Sequence, residues 1–95
     1  AETRWQTPYA ATQDDAVRCM RVGFGRAANN VFVYLTQDDT QLRKVWFTVD
    51  GRTTEDTYYP FEHTAPLDGE RMEITVKALT RQGRIIEWET LELKK

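Results

Sequence analysis

One short run constrains this chain more than any other: RMEITVKAL, residues 71 to 79, sets Met72, Ile74, Val76 and Ala78 against Arg71, Glu73, Thr75 and Lys77 with a period of two. Successive side chains of an extended chain leave opposite faces, so the run reads as a strand with one dry side and one wet side. Wound into a helix, the same apolar residues would scatter around the axis instead of forming a stripe. A dry face must be covered by a second layer, which commits the chain to a sheet packed on something apolar.

The rest of the chain repeats the pattern. RKVWFTV (43 to 49) alternates Val45, Phe47 and Val49 with Lys44, Trp46 and Thr48, and then stops at Asp50-Gly51. Both central residues of a type I′ turn need positive φ, which Asp and Gly tolerate, so a hairpin corner is expected there. VFVYLT (31 to 36) is β-branched and aromatic, with Val31, Val33 and Leu35 opposite Phe32, Tyr34 and Thr36. VRCMRVGFG (17 to 25) places Met20, Val22 and Phe24 on one face and reads as a strand despite Gly23. TYYPFE (57 to 62) reads as a short strand whose Pro60, lacking a donor, belongs at an edge or bend. In IIEWETLEL (85 to 93), Ile86 and Trp88 share one phase and Leu91 and Leu93 the other, so a bulge near Glu89-Thr90 is expected.

With turns at 26 to 30, 37 to 41, 67 to 70 and 81 to 84, these runs predict an all-β fold, an antiparallel immunoglobulin-like β-sandwich of about seven strands. Residues 1 to 16 carry neither period and are expected to be an extended lead-in in which Trp5 and Tyr9 can dock; residues 17 to 95 form the domain. At 95 residues there is room for one core, burying about 60 to 70% of the unfolded surface.

Composition narrows the function. Thirteen Lys and Arg against 15 Asp and Glu give a net charge of -2, without the basic excess that nucleic acid demands. No apolar run approaches the roughly 18 residues of a membrane helix. Cys19 is the only cysteine, so an intrachain disulfide, a cysteine zinc site and a CxxC pair are all ruled out. A buried, inert thiol is expected, with an intermolecular disulfide open to it outside the cell.

Catalytic chemistry finds little support. His63 is the only histidine, in EHTAP, where it reads as a solvated loop residue, and its neighbour Glu62 would point the other way on a strand. Paired acids at Asp14-Asp15, Asp38-Asp39 and Glu55-Asp56 lack the cleft that glycoside cleavage needs. No catalytic residue, metal site or cofactor is assigned. Turn acids Asp38, Asp39, Asp50 and Asp68 could converge on calcium, but without an Asp-x-Asp-x-Asp-Gly loop they read as carboxylates accepting backbone N–H groups. The binding candidates are aromatic: Trp46, Phe32, Tyr34, Tyr58 and Tyr59. Trp46 faces outward if Val45 and Phe47 face inward, and a one-residue slip would bury it. Tyr58 and Tyr59 read as an edge-strand cover ahead of a platform.

The runs VFVYLTQDD (31 to 39), VWFTVDG (45 to 51), YPFE (59 to 62) and LDGERMEITVKALTRQG (67 to 83) resemble the immunoglobulin-like modules of bacterial secreted and surface proteins, including those appended to polysaccharide-degrading enzymes. Fibronectin type III modules are a neighbouring likeness. The resemblance spans roughly two thirds of the chain. It departs at Thr80-Arg81-Gln82, where the family's turn is acidic, and the antibody-type cysteine pair and strand tyrosine are missing. It implies a secreted or surface-exposed, non-catalytic accessory or spacer module, monomeric, whose partners are adjacent domains. Two alternatives stand beside it: a carbohydrate- or protein-binding module using exposed aromatics, and a secreted inhibitor or adhesin acting through an edge strand or loop, which predicts a mobile loop around Arg52 to Asp56 with unpaired backbone.

Overall fold

The computed structural model describes residues 8–22, 30–36, 41–67 and 69–94. Nine strands form among them: β1 (Pro8–Ala11), β2 (Val17–Val22), β3 (Asn30–Leu35), β4 (Leu42–Val49), β5 (Arg52–Asp56), β6 (Glu62–Pro66), β7 (Arg71–Thr80), β8 (Ile85–Glu87) and β9 (Leu91–Lys94). They make two antiparallel sheets. One has the order β1-β2-β3-β6, the other β5-β4-β7-β8 with β9 also on β7. The chain therefore leaves the first sheet after β3, builds the β4–β5 hairpin in the second, returns for β6, and ends in the second.

Alternation decides what goes between the sheets. On β7, Met72, Ile74, Val76 and Ala78 are all buried while Arg71, Glu73 and Lys77 are exposed, as the period of two requires. Val45 and Phe47 face the same interior from β4, and Val31 and Val33 meet them from β3 in one cluster with Phe61, Leu67, Leu91 and Leu93. On β2 the inward face is not that of Met20 and Val22. Val17 and Cys19 are buried instead, and Met20 lies half-buried on the outside opposite Phe32. Pairing decides this: Cys19 sits across from Val33, so the two share a face, and Met20 and Val22 must take the other. Phe24 lies outside the described residues.

Nine strands stand where about seven were expected, for two local reasons. Part of the stretch read as a lead-in joins the first sheet, because Ala10 and Ala11 on β1 pair with Cys19 and Arg18. The last segment is divided by a bulge: Lys77 pairs with Glu87 and Ile74 with Leu91, so three residues, Trp88 to Thr90, face two on β7. The extra residue changes the phase, letting Trp88 pack against the core on one side of the bulge and Leu91 and Leu93 on the other.

Two expectations fail on the segment from 52 to 63. Arg52 to Asp56 is not a loop but β5, paired residue for residue with β4 from Val49↔Arg52 to Val45↔Asp56. TYYPFE is not a strand. The Asp56 carboxylate accepts the N–H of Tyr58 through Oδ1 at 3.1 Å and that of Glu62 through Oδ2 at 3.1 Å, so backbone donors that a ladder would need are taken by one side chain. The Tyr59–Pro60 peptide is cis. The strand resumes at Glu62, which puts His63 on β6 rather than in a loop.

The Asp50-Gly51 corner is as the sequence requires, with φ of 49° and 85°. Asp50 also ties the hairpin to β7: its N–H donates to the Glu73 carbonyl at 3.0 Å and its Oδ1 accepts the Glu73 N–H at 2.9 Å.

Candidate functional site

Three groups of aromatic side chains were candidates, and the strand order puts them in three places. On the outer side of the second sheet, Trp46 is half-buried, pointing away from the core as the phase of Val45 and Phe47 dictates. Its Nε1–H donates to Glu55 Oε1 at 3.1 Å, and the Lys44 ammonium lies 5.7 Å from the ring centroid and 3.5 Å from the same carboxylate. The indole is thus already occupied by its own strand neighbours, an arrangement worth about 0.5–1 kcal/mol at an exposed site. Beside it, Thr48 and Thr53 share a hydroxyl bond of 2.9 Å, and Thr75 and Thr90 another of 2.8 Å, in a row that crosses the sheet.

On the outer side of the first sheet, Phe32 and Tyr34 are half-buried and stack with centroids 5.3 Å apart and planes 23° apart. Arg18, directly across from Tyr34, grips Asp15 with two bonds of 2.9 and 2.7 Å. The Asp15 carboxylate, and after it the Tyr34 hydroxyl, raises the Arg18 guanidinium above its ordinary range, and Arg18 in turn lowers Asp15. The two outer aromatic groups therefore sit on opposite sides of the sandwich and cannot form one platform.

Tyr58 and Tyr59 belong to neither face. They stand on the loop between β5 and β6, 81% and 65% exposed, and Tyr59 meets the buried Phe61 edge-on with centroids 6.4 Å apart. An edge-strand cover they are not, since no strand runs there.

His63 was expected in solvent. It is half-buried on the inner side of β6, its ring stacked on Phe47 at 5.6 Å and 17°. It also lines a groove of about 560 Å³ along the open side between β5 and β6, with Arg52, Thr54 and Asp50. On the opposite side, the β1–β2 turn is tied to the bulge by the Gln13 N–H donating to Glu89 at 2.5 Å.

Of the acids read as turn carboxylates, Asp50 is described and behaves as such, and Asp14 and Asp56, read only as members of acid pairs, do the same. Asp14 accepts the Thr12 hydroxyl at 2.6 Å and the Ala16 N–H at 3.1 Å, and these two bonds, the hydroxyl first, hold its carboxyl below the ordinary value. Asp50 and Asp56 likewise spend their oxygens on backbone N–H groups. Asp38, Asp39 and Asp68, and also Trp5, lie outside the described residues; Tyr9 is on β1. Among the described residues no three His, Cys, Asp or Glu side chains gather where a metal ion could sit, and no helix is long and apolar enough to cross a membrane. Cys19 has 0% exposure, and burial pushes its thiol up to about 12.

The part of this site that the sequence reading missed is the Asp56 clamp. Its signal was present, since an Asp two residues before Tyr58 is placed to accept that residue's N–H. No protein-family model matches the chain, and no curated protein or solved structure matches it either.

Proposed function

We propose that this chain is an immunoglobulin-like accessory module, one that spaces or supports other domains of an exported multimodular protein and does not itself carry out chemistry. The observation that carries the reading is the strand order. With β2, β3, β4, β5, β6, β7 and the β8–β9 pair taken as successive strands A to G, the sheets are A-B-E and D-C-F-G. This order supports an immunoglobulin-like Greek key with its fourth strand on the other sheet and β1 extending the A edge. The crossing after B and the return at E are what distinguish it from a meander.

The side chains support a structural role. The described turn carboxylates serve backbone donors, the histidine packs on a core phenylalanine, and Trp46 is held by Lys44 and Glu55. Fold alone does not give function, and attachment to a polysaccharide-active enzyme rests on the sequence resemblance.

The test is retention of the purified chain on a panel of insoluble polysaccharides, paired with thermal unfolding. The accessory reading expects no retention and one cooperative transition. Retention that disappears in Trp46→Ala or in Phe32→Ala/Tyr34→Ala would replace it with a carbohydrate-binding function.

A further inference from the structure

We propose that the groove between β5 and β6 is a binding site for a small organic acid, a single carboxylate on a short apolar body. The proposal adds a ligand to the supporting role above and does not depend on it.

The first observation is polar side chains on the face where the core should be. Arg52 and Thr54 on β5 pair with Val49 and Phe47, so they share the inner side of the second sheet. His63 and Ala65 on β6 pair with the buried Val33 and Val31, which puts them on the inner side of the first sheet. The inner positions of β3 and β4 are apolar, yet Arg52 and Thr54 point inward and are exposed. β5 and β6 are edge strands of their sheets, and along this side the sheets do not close. The space of about 560 Å³ between them is lined from both strands and open to solvent, a size that suits a small ligand.

Charge selects the ligand. The Arg52 guanidinium has neither an ion pair nor a hydrogen bond among the described residues. The acids around it are committed elsewhere. Asp50 turns Oδ1 to the Glu73 N–H on β7, both Asp56 oxygens accept loop N–H groups, and Glu55 lies on the outer face with Lys44 and Trp46. Arg52 is therefore the one uncommitted charge lining the groove, and its fork matches a carboxylate. Asp50 keeps its charge beside the groove, so one negative charge on the ligand is tolerated better than the two of a phosphate.

The remaining lining completes the site. The Thr54 hydroxyl and the His63 ring have no hydrogen-bond partner among the described residues, and an imidazole carries an N–H in either protonation state. Val49, Ala65 and Pro66 supply apolar wall, and His63 is itself held flat against the core by Phe47. An inward charge on an edge strand also discourages edge-to-edge pairing. That role asks for nothing on β6, where His63 lines the same groove.

The probe is hydrocinnamate, titrated into labelled protein and followed by amide shifts. Shifts are expected at Arg52, Thr54, His63 and Ala65. Affinity should fall at least about tenfold in Arg52→Gln, and equally when the neutral hydrocinnamide replaces the acid, as loss of a charge-assisted contact predicts. Arg52 is exposed, so that variant should fold, and unchanged thermal unfolding would show it. His63→Phe keeps a ring on Phe47 but removes the donor, and should weaken binding about threefold. Equal affinity for wild type and Arg52→Gln, equal affinity for acid and amide, or shifts confined to strands other than β5 and β6 would each overturn the proposal. So would tighter binding of inorganic phosphate than of hydrocinnamate, or no shift at the solubility limit of the probe. None of these outcomes bears on polysaccharide retention, which tests the accessory reading separately.

Discussion

Trp46 and Phe47 are adjacent on β4, and the register assigns them opposite fates, so truncating each to alanine should give very different results. Phe47 is fully enclosed between Val76 of its own sheet and His63 of the other, with 0% exposure. Phe→Ala at such a position costs about 3–5 kcal/mol from lost transfer energy and the cavity left behind. The His63 ring contact adds up to about 1 kcal/mol. A chain of 95 residues has a total stability of about 5–14 kcal/mol. Phe47→Ala should therefore lower Tm by at least about 12 °C, or leave the protein largely unfolded. Trp46→Ala removes a half-buried ring, one exposed hydrogen bond and the Lys44 contact, together about 1–2 kcal/mol. Phe47→Leu, which keeps most of the volume, should cost no more than about 1.5 kcal/mol. Urea unfolding followed by circular dichroism measures all three without depending on tryptophan emission. Equal losses for the two alanine variants, or a larger loss at Trp46, would mean that β4 is shifted by one residue and that the assignment of faces is wrong.

Three further results are expected. Gly51→Ala should cost about 1 kcal/mol in urea unfolding, because φ there is 85° and nothing within 4 Å of a new Cβ would clash, leaving only the conformational penalty. Asp56→Ala should release the loop, raising amide exchange at Tyr58 and Glu62 and costing about 1–3 kcal/mol for two hydrogen bonds. Two titrations bound the stability profile. Asp14 and Asp15 are lowered in the fold from an ordinary 3.8, so their contribution is present above that value and is lost as pH falls below it. Cys19 is raised from 9.0 to about 12, so its contribution is full below pH 9 and declines as pH rises toward 12. Stability measured across pH 2 to 11 should fall at both ends, and iodoacetamide labelling of Cys19 should track global unfolding.

Sequence legibility followed burial. β4 and β7 could be read residue by residue because both have one dry face and one wet face, and the Asp-Gly corner because only positive φ suits it. The bulge at Trp88–Thr90 could be anticipated because the apolar phase changes there. β2 could not. Both of its faces are half-apolar, and only pairing with Val31 and Val33 decides that Cys19 goes in and Met20 stays out. The loop at 57 to 61 was misread for a related reason: aromatic, β-prone residues look like a strand until one carboxylate takes two of the donors a ladder needs. His63 was misplaced along with it. For the candidate site, the identity of the exposed tyrosines could be read from the sequence, whereas their height above the surface could not.

The strand order and the function proposed from it depend most on the chain changing sheets after β3. Cross-strand Hα–Hα and amide contacts in a nuclear Overhauser spectrum of the labelled protein address this directly. Contacts joining Val33 to both Cys19 and His63, with Val45 meeting Ala78 and Asp56, are the predicted pattern. Backbone contacts between β3 and β4, as in a simple up-and-down meander, would contradict the strand order and the function proposed from it.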